Sequence, residues 1–273
     1  MTARIRLGVL GKPIAHSRSP QLHRAAYRVL GLDWEYERYE VGPGELAGWV
    51  GRLGPEWRGL SITMPLKAEA MALADWHSPA ATATGAVNTL VLADGAIRGH
   101  NTDVYGIVQA LWQQGVTELR RVHVLGAGAT ATSVLAAAAQ LGARRASVAA
   151  RRPEQLADLA RVTAAFGLHI EPADWTAPGD AELVVNTVPG GVTSQLAFAE
   201  EVRRDAALFD VVYDPWPSPL AAGWLAAGGT VASGLDMLFW QAVLQVRLFL
   251  GIGDDDPLPQ EEAVLAAMRE ALG

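Results

Sequence analysis

The chain has 273 residues, half of them hydrophobic and 19% charged, which is material for two compact units or one large α/β unit. A net charge of −7 argues against broad contact with nucleic-acid phosphates, and the absence of cysteine excludes disulfides, thiolate metal ligation and a cysteine nucleophile. No apolar run is long enough for a membrane span, the histidines show no HExxH-type spacing for a metal, and the N-terminus lacks a secretory apolar stretch, so a cytoplasmic protein is expected.

In chain order, residue patterning predicts a strand over 5–10, a helix over 20–30, an alternating strand over 34–41 and a strand over 59–62. Between the first strand and first helix, Ser19 reads as the N-cap, with Pro20 at the first helical position. The hydroxyls of Ser17 and Ser19 and the free amides of the helix start then converge on a point suited to a small carboxylate. The plainer alternative is that Ser19 only caps the helix. After the 59–62 strand, Thr63 reads as a second cap and Pro65 lies in the first turn, together with Lys67. A helix start disfavours an ammonium ion. Of 22 basic residues, only Lys12 and Lys67 are lysines. Lysine, unlike arginine, can release a proton near neutrality, which suits Lys67 to proton transfer; a solvent-pointing side chain is the alternative.

Residues 87–92 and 96–100 flank Asp94-Gly95, a strong hairpin signal. Pairing 93 with 96 and 92 with 97 carries Asn88 to a place opposite Asn101 and gathers Asn88, Asn101 and Asp103 at one end. From residue 122 onward, apolar strands over 122–125, 147–149, 183–186, 208–213 and 230–232 alternate with helical stretches, the pattern of a doubly wound parallel sheet. A long amphipathic helix over 235–250 carries Gln241 and Gln245 four apart on one face, and a short helix ends the chain.

The strand 122–125 runs into Gly126-Ala127-Gly128-Ala129-Thr130-Ala131 and then a helix, a G-x-G-x-x-A turn in the strand–turn–helix order that dinucleotide binding requires. A merely structural turn is the alternative. No acid occurs between Gly126 and Glu154, where a chain specific for NAD would hold the ribose hydroxyls. Arg151 and Arg152 stand there instead, which favours the 2′-phosphate of NADP over a solvated arginine pair.

Together these segments resemble the shikimate dehydrogenase family over nearly the whole chain. The resemblance rests on Gly11-x-Pro13-Ile14-x-His16-Ser17-x-Ser19-Pro20, Thr63-x-Pro65-x-Lys67, Gly85-Ala86-Val87-Asn88-Thr89 and Gly99-x-Asn101-Thr102-Asp103. It continues through Asn186-Thr187-x-Pro189, Asp210-x-x-Tyr213-x-Pro215 and Gly234-x-x-Met237-Leu238-x-x-Gln241. It implies an α/β fold with a substrate domain over 1–103, completed by C-terminal helices from about 238 to 273, and a Rossmann-type NADP domain over 104–237. It implies Lys67 and Asp103 as the catalytic pair, Ser17 and Ser19 on the substrate carboxylate, and Thr63, Asn88, Asp103, Tyr213 and Gln241 on ring hydroxyls, with Lys67 also touching the substrate. Gly126, Ala127, Gly128, Ala129, Thr130, Arg151, Arg152, Thr187, Val211, Gly234 and Met237 are the implied NADP contacts, no metal is implied, and the chain is expected as a monomer or homodimer.

The implied reaction is reversible reduction of 3-dehydroshikimate to shikimate by NADPH. Four departures from the family pattern bear on specificity: Ser61 where asparagine is usual, Arg24 where asparagine is frequent, Ala129-Thr130 for Gly-Ala, and Ala150 for asparagine. Ser61 motivates the alternative of a paralogue acting on quinate or an aminated shikimate analogue. A non-catalytic ligand-binding regulator of the same fold would have no need of Lys67 and Asp103.

Overall fold

The computed structural model describes residues 4–188, 192–193 and 195–273; Pro189 of the Asn186 motif lies outside the described residues. The chain forms two compact units, Met1–Thr102 with Gln241–Gly273, and Asp103–Trp240.

The first unit runs β1 (Arg6–Gly11), α1 (Ser19–Val29), β2 (Glu35–Glu40), α2 (Leu46–Val50), β3 (Trp57–Ile62), α3 (Lys67–Leu73), β4 (Trp76–His77), α4 (Pro79–Thr84), β5 (Thr89–Ala93) and β6 (Ala96–His100). Its six strands lie in the order β2-β1-β3-β5-β6-β4. β1 is parallel to β2 and β3, while β5 is antiparallel to β3 and β6. The β5–β6 hairpin pairs Ala93 with Ala96 and runs in register to Thr89 opposite His100. Asp94 (φ 53°) and Gly95 (φ 76°) both adopt the left-handed conformation that a tight two-residue turn demands. The Asn88 amide then donates to the His100 carbonyl at 3.0 Å, bringing Asn88 and Asn101 to the open end of the hairpin. Leu10, Leu60, Ile62, Leu66 and Leu90 form the centre of the core.

The second unit contains α5 (Asp103–Gln113), β7 (Arg121–Leu125), α6 (Ala129–Gln140), β8 (Arg145–Ala149), α7 (Pro153–Ala164), β9 (His169–Pro172), β10 (Leu183–Asn186), α8 (Glu200–Asp205), β11 (Ala207–Asp210), α9 (Pro219–Ala226) and β12 (Val231–Ser233). The sheet order is β12-β11-β10-β7-β8-β9, with every neighbouring pair parallel. Counted within the unit from β9, the strands run third, second, first, fourth, fifth, sixth, the dinucleotide-binding order, which reverses between β7 and β10. The α/β architecture expected from the sequence is therefore present. Leu125, Ala149, Val184, Leu208 and Trp224 fill its core. α10 (Gly234–Leu250) and α11 (Glu261–Glu270) complete the chain, and α11 packs on α1 in the first unit. Among the described residues no helix is long and apolar enough to cross a membrane.

Several boundaries differ from the patterning. α1 begins at Ser19 with Arg18 at the cap position, so Ser19 is the first helical residue and not the N-cap. Thr63 does not cap α3. Its carbonyl accepts from the Leu66 amide at 2.9 Å in a turn that contains the cis Met64–Pro65 bond, which leaves Pro65 before the helix and Lys67 as its first residue. β11 stops at Asp210, short of Tyr213, because the Asp210 carboxylate turns onto the following chain, accepting from the Val212 amide at 3.1 Å and from the Ser218 hydroxyl. β9 escaped prediction because it is a short edge strand whose exposed residues include His169 and Glu171.

Candidate functional site

In the first unit, two of the expected substrate residues, Asn88 and Gln241, are joined by a buried chain of hydrogen bonds. Beside the buried Ser19 hydroxyl, which lowers the Tyr36 pKa against burial, the Tyr36 hydroxyl donates to Ser61 Oγ at 2.6 Å. Ser61 donates to Gln245 Oε1 at 2.7 Å, and Gln245 Nε2 donates to Thr89 Oγ1 at 2.8 Å. Thr89 donates to Asn88 Oδ1 at 2.9 Å. Asn88 Nδ2 reaches Thr102 Oγ1 at 2.9 Å, and the Thr102 hydroxyl lies 3.4 Å from Gln241 Oε1. Ser61 and Tyr36 each have one hydroxyl proton, and Gln245 Oε1 can only accept. Tyr36 must therefore donate to Ser61.

His23 supports this chain from below. Its ring stacks on Tyr36 with centroids 4.0 Å apart and planes 11° apart. Its Nε2 is 3.2 Å from Gln245 Oε1 and so carries the proton, while Nδ1 accepts from the Tyr27 hydroxyl at 3.0 Å. Complete burial pushes its pKa down to about 3, against the opposing hydrogen bond to Gln245, and holds the ring neutral. The same burial pushes the Tyr27 and Tyr36 hydroxyls well above their ordinary range, so both remain donors. Tyr36, Thr89, Thr102 and His23 were not singled out as site residues from the sequence. The available signals were Thr89 opening an otherwise apolar strand and the Gln241–Gln245 face.

The other expected residues of this unit lie around the chain. Ser17 Oγ accepts from the Ser19 amide at 3.4 Å, and the Ser17 carbonyl takes Arg38 Nε at 2.8 Å, which fixes the turn into α1. Thr63 and Lys67 are half-buried at the end of β3 and the start of α3, and the Lys67 carbonyl accepts from the Val87 amide at 3.2 Å, tying that helix start to the Asn88 segment. Ser17, Ser19, Thr63, Lys67, Asn88 and Gln241 thus belong to one unit. Asp103 and Tyr213 belong to the other: Asp103 is the buried first residue of α5, where the helix dipole favours a carboxylate, and Tyr213 lies in the loop after β11.

In the second unit, the glycine turn sits at the point where strand order reverses. Gly126 has φ +106°, and a Cβ there would lie 2.5 Å from Thr187 Oγ1, so glycine is required by the fold. Thr187 in turn donates to the Leu125 carbonyl at 2.8 Å, locking the loop after β10 to the end of β7. Gly128 differs. It is the N-cap of α6 in extended backbone, and a Cβ there would meet nothing within 4 Å. Protein packing does not account for that glycine, and its bare backbone leaves the helix amides open to close approach.

A cleft of about 490 Å³ opens beside this turn, bounded by Gly126, Gly128, Arg151, Arg152, Trp175 and Thr187. Both arginines are exposed, and among the described residues neither makes an ion pair. Open helix amides beside two uncommitted guanidinium groups fit a dinucleotide with an additional phosphate. Ala127, Ala129 and Thr130 complete the turn and the start of α6. At the far end of the sheet, a Cβ on Gly234 would lie 2.0 Å from the Val211 carbonyl oxygen, so α10 starts directly against the exit of β11. Ser233 and Asp236 close a reciprocal cap there: Asp236 Oδ2 accepts from the Ser233 amide at 3.0 Å, and Ser233 Oγ from the Asp236 amide at 3.2 Å. Met237 stands half-buried in the first turn beyond that cap.

Comparison with known proteins gives one consistent result. Residues 9–90 match the family model described as the shikimate dehydrogenase substrate binding domain. Shikimate dehydrogenase (NADP(+)) of Thermus thermophilus is 35% identical over 272 residues, covering 98% of this chain and 99% of that protein. The enzyme of the same name from Methylobacterium radiotolerans is 39% identical over 259 residues, 89% of this chain and 90% of that protein. Among solved structures, Mycobacterium tuberculosis shikimate dehydrogenase is similar with a TM-score of 0.86 and 42% identity, over 97% of this chain and 99% of that chain. Shikimate 5-dehydrogenase from Thermus thermophilus in complex with NADP(H) and shikimate matches with a TM-score of 0.83 and 34% identity, over 98% and 99% of the two chains.

Proposed function

Since the chain belongs to the shikimate dehydrogenase family, we propose that it is an NADP-dependent oxidoreductase that interconverts 3-dehydroshikimate and shikimate. The observation that carries the substrate half of this reading is the buried chain from Tyr36 to Asn88 and on to Gln241, which fixes hydroxyl and amide groups as recognition of a small polyhydroxylated acid requires. Ser17 and Ser19 take the carboxylate. Thr63, Asn88, Tyr213 and Gln241 take the ring hydroxyls.

Bound NADPH supplies the hydride that reduces the C3 carbonyl carbon. Lys67 gives a proton to the forming alkoxide, or holds its charge as a cation, and Asp103 orients the neighbouring hydroxyl. The amides of residues 126–130 take the pyrophosphate, Arg151 and Arg152 the 2′-phosphate, Thr187 backs the glycine turn, and Val211, Gly234 and Met237 flank the nicotinamide. The open approach at Gly128 and the unpaired arginines support this placement.

Purified protein given 3-dehydroshikimate should consume NADPH, followed by loss of its near-ultraviolet absorbance; unchanged absorbance overturns the proposal. The Ser61 hydroxyl is committed to Tyr36 and Gln245. That supports shikimate itself as the preferred substrate over quinate or aminated analogues, and side-by-side kinetics on the three decide it.

A further inference from the structure

We propose that Trp175 is a purine-recognising residue, the platform on which the adenine ring of the dinucleotide stacks. The inference rests on the NADP reading above and adds to it a residue outside the glycine turn and the arginine pair. Trp175 lies in the connection between β9 and β10, a segment with neither helix nor strand around it, yet its position is fixed from two sides. Its carbonyl accepts from the Nε2 of His123 at 3.3 Å. His123 is fully buried on β7 and held by Ser147 of β8 at 2.8 Å through its other ring nitrogen. The indole of Trp175 packs against the core that includes Leu125 and Ala149, the last residues of β7 and β8.

Trp175 lines the same cleft as Gly128, Arg151 and Arg152. With the pyrophosphate on the turn after β7 and the 2′-phosphate on the arginines after β8, the base attached to that ribose must leave within a few ångströms of both. The aromatic surface in the cleft is Trp175, and Gln155 adds an amide able to meet a purine edge. Trp175 is partly buried against the core, and a purine stacked on its remaining face would gain π-stacking there.

The experiment measures binding of 2′,5′-ADP, which carries the adenine and both phosphates without nicotinamide, by calorimetry to the parent, Trp175→Phe and Trp175→Leu proteins. Leucine fills space without a π-face, so Trp175→Leu should weaken binding by on the order of ten-fold, while Trp175→Phe should stay within a few-fold of the parent. The Michaelis constant for shikimate should be unchanged in both. Equal affinity in the parent and Trp175→Leu overturns the inference, as does equal weakening in the two variants, which would assign the residue to cleft shape alone. Failure of the parent to bind 2′,5′-ADP would instead overturn the NADP reading, and this inference with it. A second measurement does not depend on how the leucine variant folds: tryptophan emission of the parent should fall on adding 2′,5′-ADP, and the fall should be lost in Trp175→Phe. The same fall in both proteins would overturn the inference.

Discussion

Around Ser19, Asn88 and Gln241 in the first unit, the polar groups are side chains, each held by the next within a buried network. At the glycine turn of the second unit they are main-chain amides, and the side chains that matter are absent ones at Gly126, Gly128 and Gly234. Under the proposed function, the contrast follows from what each would have to recognise. A small ring with several hydroxyls is told from its isomers only by donors and acceptors at fixed points, and fixing side chains requires a supporting shell. A pyrophosphate is large, charged and symmetrical, and a helix start satisfies it with atoms that every residue carries. The first apparatus is sensitive to any change in its shell, and the second to any added bulk.

The strongest challenge to this contrast is at Lys67. Lys67→Ala and Lys67→Arg should both lower kcat by roughly a hundred- to ten-thousand-fold with little change in KM. A loss confined to KM in steady-state assays would make Lys67 a binding group. Next in size, replacing Arg151 and Arg152 together with alanine should raise KM for NADPH by roughly a hundred-fold and leave KM for NADH nearly unchanged; equal effects on both would remove the 2′-phosphate assignment. The two glycines of the turn sharpen the comparison from within. Gly126→Ala forces a positive φ and a clash with Thr187, and should cost up to about 3 kcal/mol in urea unfolding. Gly128→Ala should leave unfolding unchanged, since its methyl meets no protein atom within 4 Å, and weaken NADP binding by about ten-fold if the pyrophosphate lies there as proposed.

The smallest predicted effect concerns pH. His23 is neutral in the fold, with its pKa lowered to about 3, so the unfolded chain binds the proton more readily. Its contribution is present in full above the unfolded value near 6.5 and declines as pH falls from there towards 3, by about 2 kcal/mol at pH 5. His123, also lowered by burial, acts in the same direction. Urea midpoints at pH 7 and pH 5 should therefore converge for His23→Gln relative to the parent; an identical pH slope in both would contradict the assignment.

What the sequence revealed divides along the same line. The glycine turn, the Asp94-Gly95 hairpin and the parallel sheet could be read directly because they depend on local backbone preferences and on hydrophobic periodicity. The hairpin even delivered Asn88 to the site by simple counting of its register. Tyr36 and Thr89 could not be read that way: they lie on different strands, and only pairing through β1 and β3 brings them to the same group. Ser61 shows the cost. The motifs mark it only as a departure that bears on specificity, whereas its hydroxyl is occupied inside the network. Thr63 and Ser19 were misplaced as caps for a related reason, since a cis peptide and a cap by Arg18 leave no clear mark in residue type. The Ser233–Asp236 cap did carry a signature, serine followed three residues later by an acid, and could have been found.

The buried chain through Gln245 has one further property. A run of hydroxyls alone could point its protons in either sense, as in ice, and would fluctuate between the two. Gln245 breaks that symmetry, because its oxygen and nitrogen ends are different atoms facing Ser61 and Thr89. It acts as a rectifier, selecting one proton order for the links from Tyr36 to Thr89. Replacing it with glutamate would set two acceptors, its own oxygen and Asn88 Oδ1, against the single Thr89 proton. The polarity of the array is therefore inherited from two amides, Gln245 and Asn88, the second pinned by the Thr102 backbone amide, and tolerated substitutions along it should come in matched sets rather than singly.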